Sequence, residues 1–133
     1  MKTKKLKVGT FMGHTQKMRT LHGFTLSKTG HDQNMKVPRH EHENPYISLL
    51  LFGIYHEESK ISEYDMKPGS SLFRPKGFEH KNEIGTENSF CFNIEIEKEL
   101  PDKGHYSKVS NHIRFERNNL ELLKIFYAFQ DDF

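Results

Sequence analysis

The sequence predicts an all-β barrel or sandwich followed by one C-terminal helix. Two observations carry this. Between residues 24 and 97, short runs of β-branched, aromatic and leucine side chains recur at close intervals, each broken by glycine or proline. Antiparallel sheets joined by tight turns leave that pattern. Towards the end the period changes: Leu122, Ile125, Phe126, Phe129 and Phe133 follow helical i, i+3, i+4, i+7 spacing.

Residues 1–36 are polar and mixed, and Gly9, Gly13, Gly23 and Gly30 exclude a long helix there. Phe24-Thr25-Leu26-Ser27 reads as a short strand, and Asp32-Gln33-Asn34 as a loop. Pro38 begins an extended stretch, since the residue before a proline is pushed away from helix. Tyr46–Phe52 is the clearest strand, nearly continuous in strand-forming side chains. Gly53 follows it and predicts a bulge or a close approach of two backbones. Lys60–Met66 alternates polar and apolar as a half-buried strand does. Lys67-Pro68-Gly69-Ser70 and Pro75-Lys76-Gly77 are turns bracketing a short strand, Ser71–Arg74. Phe90–Glu97 alternates strictly, with Phe90, Phe92, Ile94 and Ile96 on one face. Asn118 with Glu121 resembles a capping box and places the helix start near 119.

A chain of 133 residues is one domain by size. Lys plus Arg is 20 against 18 Asp plus Glu, so no basic excess points to nucleic acid. No apolar run reaches the roughly 18 residues of a membrane span, and the basic start, Met1 to Lys7, lacks the apolar stretch of a secretory signal. A single cysteine, Cys91, excludes an internal disulfide and makes the cytoplasm the expected compartment. Apolar content is low at 34%, but 11 Phe and 5 Tyr are enough for a modest core.

Nine histidines are many for this length, and their spacing selects three. His40-Glu41-His42 places two imidazoles on one face of a strand. Gly69, then Pro75, Gly77 and His80, sets a third on a separate strand after two turns. His40, His42 and His80 are therefore the candidate metal or ligand-head residues, with Tyr46 the candidate pocket aromatic beside them. The bland alternative is a polar pocket lining without a metal.

Both stretches resemble the two motifs of the cupin family, over roughly residues 36–97. That resemblance implies a jelly-roll (double-stranded β-helix) barrel over 1–117 with the helix of 118–133 appended. It also implies a divalent metal, with zinc, nickel, iron or manganese as candidates. The second motif matches at Gly69, Pro75, Gly77 and His80; its asparagine would fall at Ile84. In the first motif the glutamate that commonly completes the metal set would fall at Tyr46 or Ile47. Without it the three-histidine set lacks an anionic ligand. Within the family the closer resemblance is to the N-terminal sensing domain of AraC-type transcription regulators, in which the first motif often loses its glutamate. His-x-His followed by Ile47 to Glu57, the stretch Arg74 to His80, and the tail Leu120 to Asp131 carry that likeness.

It implies an effector-sensing and dimerisation domain: a small molecule bound near the histidines, DNA contacted only through a C-terminal part beyond this chain, a homodimer and no membrane. The apolar pattern still runs at Phe133, so the sequence is expected to belong to a longer regulator, with a stand-alone cupin as the competing reading. The alternative function is a small metal-dependent cupin enzyme, an oxygenase or isomerase; a binding protein without signalling is the third.

Other residues read more plainly. Glu41 and Glu79 fall on the alternate face as solvated groups, and Glu43 has the wrong parity for a ligand. His56 is expected on the outer surface, while His14, His22, His31, His105 and His112 have no partner spacing. Cys91 is expected in packing. Phe52, Phe73, Phe90, Phe92 and Ile94 are expected in ordinary core rather than lining a cavity. The helix is expected either to pair across a dimer or to pack back on its own barrel.

Overall fold

The computed structural model describes residues 4–6, 13–97 and 112–131. Expectations for Gly9, His105 and Phe133 lie outside them. In chain order the strands are β1 (Lys4–Leu6), β2 (His14–Leu21), β3 (Phe24–His31), β4 (Lys36–His42), β5 (Tyr46–Phe52), β6 (Tyr55–Glu58), β7 (Glu63–Met66), β8 (Ser71–Arg74), β9 (His80–Ile84), β10 (Ser89–Ile96) and β11 (Arg114–Glu116). Among the described residues one helix, α1 (Leu120–Asp131), follows. The strands form two sheets, ordered β1-β4-β9-β6-β7 and β11-β8-β5-β10-β3-β2. All pairings are antiparallel except β1 with β4. The sheets close on each other through Leu50, Leu72 and Cys91 from one and Tyr55, Met66 and Ile84 from the other. An all-β barrel with a C-terminal helix is thus what the chain forms.

The turns follow from their residues. Leu21 pairs with Phe24 across His22-Gly23, both at positive φ (46° and 87°), the geometry of a type I′ hairpin. Ser70 N–H donates to Lys67 O, with Pro68 first and Gly69 second in the turn at φ 93°, which is type II. Phe78 N–H donates to Pro75 O with Gly77 in the same role, and Gly77 N–H is tied to the carbonyl of His42. That tie fastens the second histidine segment to the first. Gly53 fulfils its expectation: a Cβ there would meet Asn88 O at 2.6 Å. The strand expected from Lys60 starts only at Glu63. Ser59 Oγ accepts from Ser62 N–H at 3.0 Å and holds residues 59–62 in a turn instead.

The six-stranded sheet buries both faces. Its outer face carries Leu49 and Phe92, covered by Leu122, Phe126 and Phe129 of α1. Phe92 packs with ring centroids 5.2 Å from Phe129 and 5.3 Å from Phe126. Each such side chain contributes roughly 1.5–3 kcal/mol on burial. The helix therefore packs back on its own barrel, one of its two expected placements. Ile125, expected on the buried stripe, is instead 46% exposed, with Leu120 and Tyr127.

The cap also differs from expectation. Asn119, not Asn118, accepts from Leu122 N–H through Oδ1 at 3.0 Å. Asn119 also donates its side-chain amide to Ser71 Oγ, and its N–H to Gly69 O. Either asparagine can cap a helix. The register that buries Leu122, Phe126 and Phe129 decides between them. Asn119→Ala should therefore lower stability by about 0.5–2 kcal/mol, and Asn118→Ala by much less, in urea denaturation.

Candidate metal centre

His40 and His42 stand on the inner face of β4, two residues apart, and His80 opens β9 directly across from His40. All three are buried, and their donor nitrogens lie within 4.8 Å of one another. Ring centroids are 4.2 Å apart for His40 and His80, 5.3 Å for His40 and His42, and 6.2 Å for His42 and His80. The strand spacing and the paired turns predict this convergence, and the structure brings the three together.

Backbone carbonyls orient two of the rings. His40 Nδ1–H donates to Pro38 O at 2.9 Å, and His80 Nδ1–H donates to Phe78 O at 3.2 Å. In both cases the acceptor lies two residues earlier. That bond leaves the Nε2 lone pair free to accept or ligate, which is how metal-ligating histidines are usually held. The Tyr46 hydroxyl donates to His80 Nε2 at 3.2 Å, and the Tyr46 ring lies 4.2 Å from that of His42. The expectation that Tyr46 sits beside the histidines holds geometrically.

Electrostatics keep the imidazoles neutral. Burial pushes His42 down to about 2, helped by His40, His80 and the Arg74 charge. Burial lowers His40 and, with Arg74, takes His80 well below its ordinary value. Neutral imidazole is the ligating form. Three such donors could hold one zinc, nickel or iron ion and leave positions open. Manganese favours harder oxygen donors.

The rest of the inner wall is polar, which the sequence analysis missed. Arg74 is fully buried, and its Nε–H donates to Glu57 Oε2 at 2.9 Å. Its Nη2 is ion-paired with Glu57 Oε1 and lies 3.3 Å from Tyr55 Oη. Its Nη1 donates to Ser48 Oγ at 2.9 Å. Ser48 donates to Asn93 Oδ1, and Asn93 donates to Thr29 Oγ1 at 3.0 Å. Glu57 raises Arg74 well above its usual value against the opposing effect of burial. The guanidinium also lies 4.7 Å from the Tyr46 ring centre. A cavity of about 30 Å³, lined by His40, His42, Tyr46, Arg74 and Asn93 among others, remains between these groups.

In the sequence Arg74 and Glu57 stand only at the ends of the two stretches that carry the regulator likeness. The one available signal was parity, because Tyr55 and Glu57 share a face of β6.

The remaining expectations fall as follows. Glu41 and Glu79 are half-exposed and Glu43 is exposed. His56 faces outward, hydrogen-bonded to Asp65 at 2.8 Å. Cys91 packs inside with Leu50 and Leu72, its thiol pushed up to about 12 by burial. Phe92 and Ile94 face α1, not the cavity, while Phe52, expected in the core, is exposed at the end of β5 with its ring 6.3 Å from that of Phe90.

Two outcomes follow. Arg74→Met should destabilise the fold by about 3–5 kcal/mol by stranding the Glu57 carboxylate, while Arg74→Met with Glu57→Gln should recover most of that loss; chemical denaturation measures both. The second concerns pH. The histidines bind protons in the unfolded chain below about pH 6.5 but stay neutral in the fold. For His42 the stabilisation is therefore complete above that pH and is lost as pH falls, by up to about 1.4 kcal/mol per unit, and His40 and His80 act in the same direction. Chelator-treated protein unfolded at pH 7.5, 6.5 and 5.5 should show this slope, and His42→Gln should flatten it.

No family model matches the chain, and no curated protein sequence matches it. Solved structures do. KdgF from a Halomonas species superimposes with a TM-score of 0.55 at 15% identity, covering 62% of this chain and 77% of that one. The cupin domain of Cnp3 from Schizosaccharomyces pombe gives 0.55 at 13%, covering 62% of this chain and 59% of that one, under two thirds of its length. A cupin-2 domain protein from Shewanella frigidimarina gives 0.52 at 19%, covering 65% and 84%. At these identities the likeness speaks for architecture, and it shows that the two facing sheets around the histidines are a cupin barrel.

Proposed function

We propose that this chain is the effector-sensing and dimerisation domain of an AraC-type regulator, with one divalent metal ion held at His40, His42 and His80. The observation that carries the metal half is the fixed orientation of His40 and His80, whose Nδ1–H groups are committed to backbone carbonyls. The regulator half is supported by the sequence: a first motif without its glutamate, the Arg74 to His80 stretch, and the apolar helix after the barrel.

The cavity limits the effector. About 30 Å³ holds one or two waters, against roughly 300–1,000 Å³ for an ordinary small-molecule site. The effector is then the ion itself, or a molecule of a few atoms beside it with Tyr46. Its greater affinity for one of two barrel arrangements would bias a DNA-binding part outside this chain. Leu120 and Tyr127, exposed seven residues apart on the side of α1 turned away from the barrel, offer apolar side chains to a homodimer.

The second reading is a metal-dependent cupin enzyme. The Tyr46 hydroxyl on His80 Nε2 favours it, because it places an O–H donor beside the ion's open positions. A bound ion would act there as a Lewis acid.

Chelator-stripped protein should take up one equivalent of zinc or nickel, and His42→Ala and His80→Ala should abolish uptake, read by elemental analysis after gel filtration. A reading frame that continues into paired helix-turn-helix units supports the regulator. A metal-dependent turnover that disappears with His42→Ala would overturn it in favour of the enzyme.

A further inference from the structure

We infer that Glu57 is the carboxylate ligand of the histidine centre, delivered from β6 and positioned by Arg74. The inference rests on the metal-binding reading above and adds a donor to it. Where the cupin resemblance expects a glutamate, β5 offers Tyr46 and Ile47. The structure places a different carboxylate against the site.

Glu57 is 1% exposed, and its Oε1 lies 4.0 Å from His80 Nε2. Donors bound to one divalent ion through bonds of about 2.0–2.2 Å sit roughly 3.0–3.5 Å apart. Glu57 Oε1 approaches His80 but stands outside the group formed by His40, His42 and His80, so ligation requires the carboxylate to shift towards the three imidazoles. The fold makes that approach natural. β9 lies between β4 and β6, so His40, His80 and Glu57 come from three adjacent strands of one sheet. Glu57 pairs with Asn82, two residues after His80.

Glu57 can ligate without leaving Arg74. A carboxylate has two oxygens and about four lone-pair sites. Oε2 accepts from Arg74 Nε at 2.9 Å, while Oε1 faces both Arg74 and His80. Asn82, with its amide turned to satisfy its partners, adds a donor to Oε1 at 3.2 Å. Oε1 can turn to the ion while Oε2 stays on Arg74, and ligating carboxylates are commonly hydrogen-bonded in this way. Arg74 is itself fixed by Ser48 and Tyr55, so it positions the carboxylate rather than the ion. Charge argues in the same direction. Three neutral imidazoles would leave a dication beside a buried guanidinium, and a carboxylate placed between the two cations reduces their repulsion.

Cobalt(II) titration under chelator competition, followed by visible absorption, tests this. The proteins are wild type, His42→Ala, Arg74→Met, and Glu57→Gln combined with Arg74→Met. The last removes both charges together, so no buried ion is stranded. Once cooperative unfolding shows it folded, it should bind cobalt more weakly than wild type by at least about tenfold, the smallest cost of losing even an outer-shell partner, and give absorption bands shifted as loss of a ligand requires. Arg74→Met alone keeps the carboxylate but loses its positioning partner, so, once shown folded, it should bind cobalt more tightly than the double variant and give bands distinct from it. A folded double variant with wild-type affinity and bands overturns the assignment. So does Arg74→Met alone if it already shows the double variant's spectrum. Wild-type protein that takes up no cobalt, or cobalt uptake unaffected by His42→Ala, fails the metal reading itself. Uptake lost with His42→Ala but unchanged in the double variant fails Glu57 alone.

Discussion

The interior of this barrel is organised around one buried cation. A guanidinium cannot be desolvated without partners, because its charge loses most of its hydration in a low-dielectric interior. Arg74 has partners on three sides: Glu57 and Tyr55 from β6, Ser48 from β5, and the Tyr46 ring below it. Those contacts cross from one sheet to the other, since β8 and β5 belong to the six-stranded sheet and β6 to the five-stranded one. The pair therefore fixes how the sheets face each other, and with it where His80 stands relative to His40 and His42. It also fills space. With Arg74 and Glu57 in place, little more than water-sized room remains beside the imidazoles.

A polar interior has to be supported from elsewhere. Thr25, Ser27, Thr29, Ser48, Asn93 and Glu95 are all buried on the inner side of the six-stranded sheet. Hydrogen bonds among such groups contribute only modestly net of lost hydration. The apolar stabilisation lies on the other side of the same strands, where Leu49 and Phe92 meet Leu122, Phe126 and Phe129. The helix is thus the second layer that lets the barrel keep hydrophilic groups inside. Its start is fastened to the Gly69 turn through Asn119, next to the strand that carries Arg74.

This division explains what the sequence made legible. The two-residue period and the Pro-Gly turns identify the strands and bring His40, His42 and His80 together, because those signals are local. Alternation also shows that Phe90, Phe92, Ile94 and Ile96 share a face. It cannot tell which face is the inside, and here the more polar parity points inward. Glu57 was hidden for a different reason. Its role comes from the pairing of β6 with β9, more than twenty positions along the chain, and no local pattern encodes that partner. Asn118 and Asn119 show the limit at the smallest scale: local chemistry allows either cap, and tertiary packing selects Asn119.

The histidines themselves are held by backbone. His40 and His80 face each other across β4 and β9, and each donates Nδ1–H to the carbonyl two residues before it. Pro38 and Phe78 precede them in segments shaped by a strand irregularity and a type II turn respectively. The lone pairs are therefore aimed before any ion arrives, and the entropy of ordering the rings is lost during folding rather than at binding. The same preorganisation keeps the rings neutral while no ion is present, because burial opposes protonation at all three. A site built in this way spends folding stability on readiness for a cation, which is the expected compromise where function and packing compete for one interior.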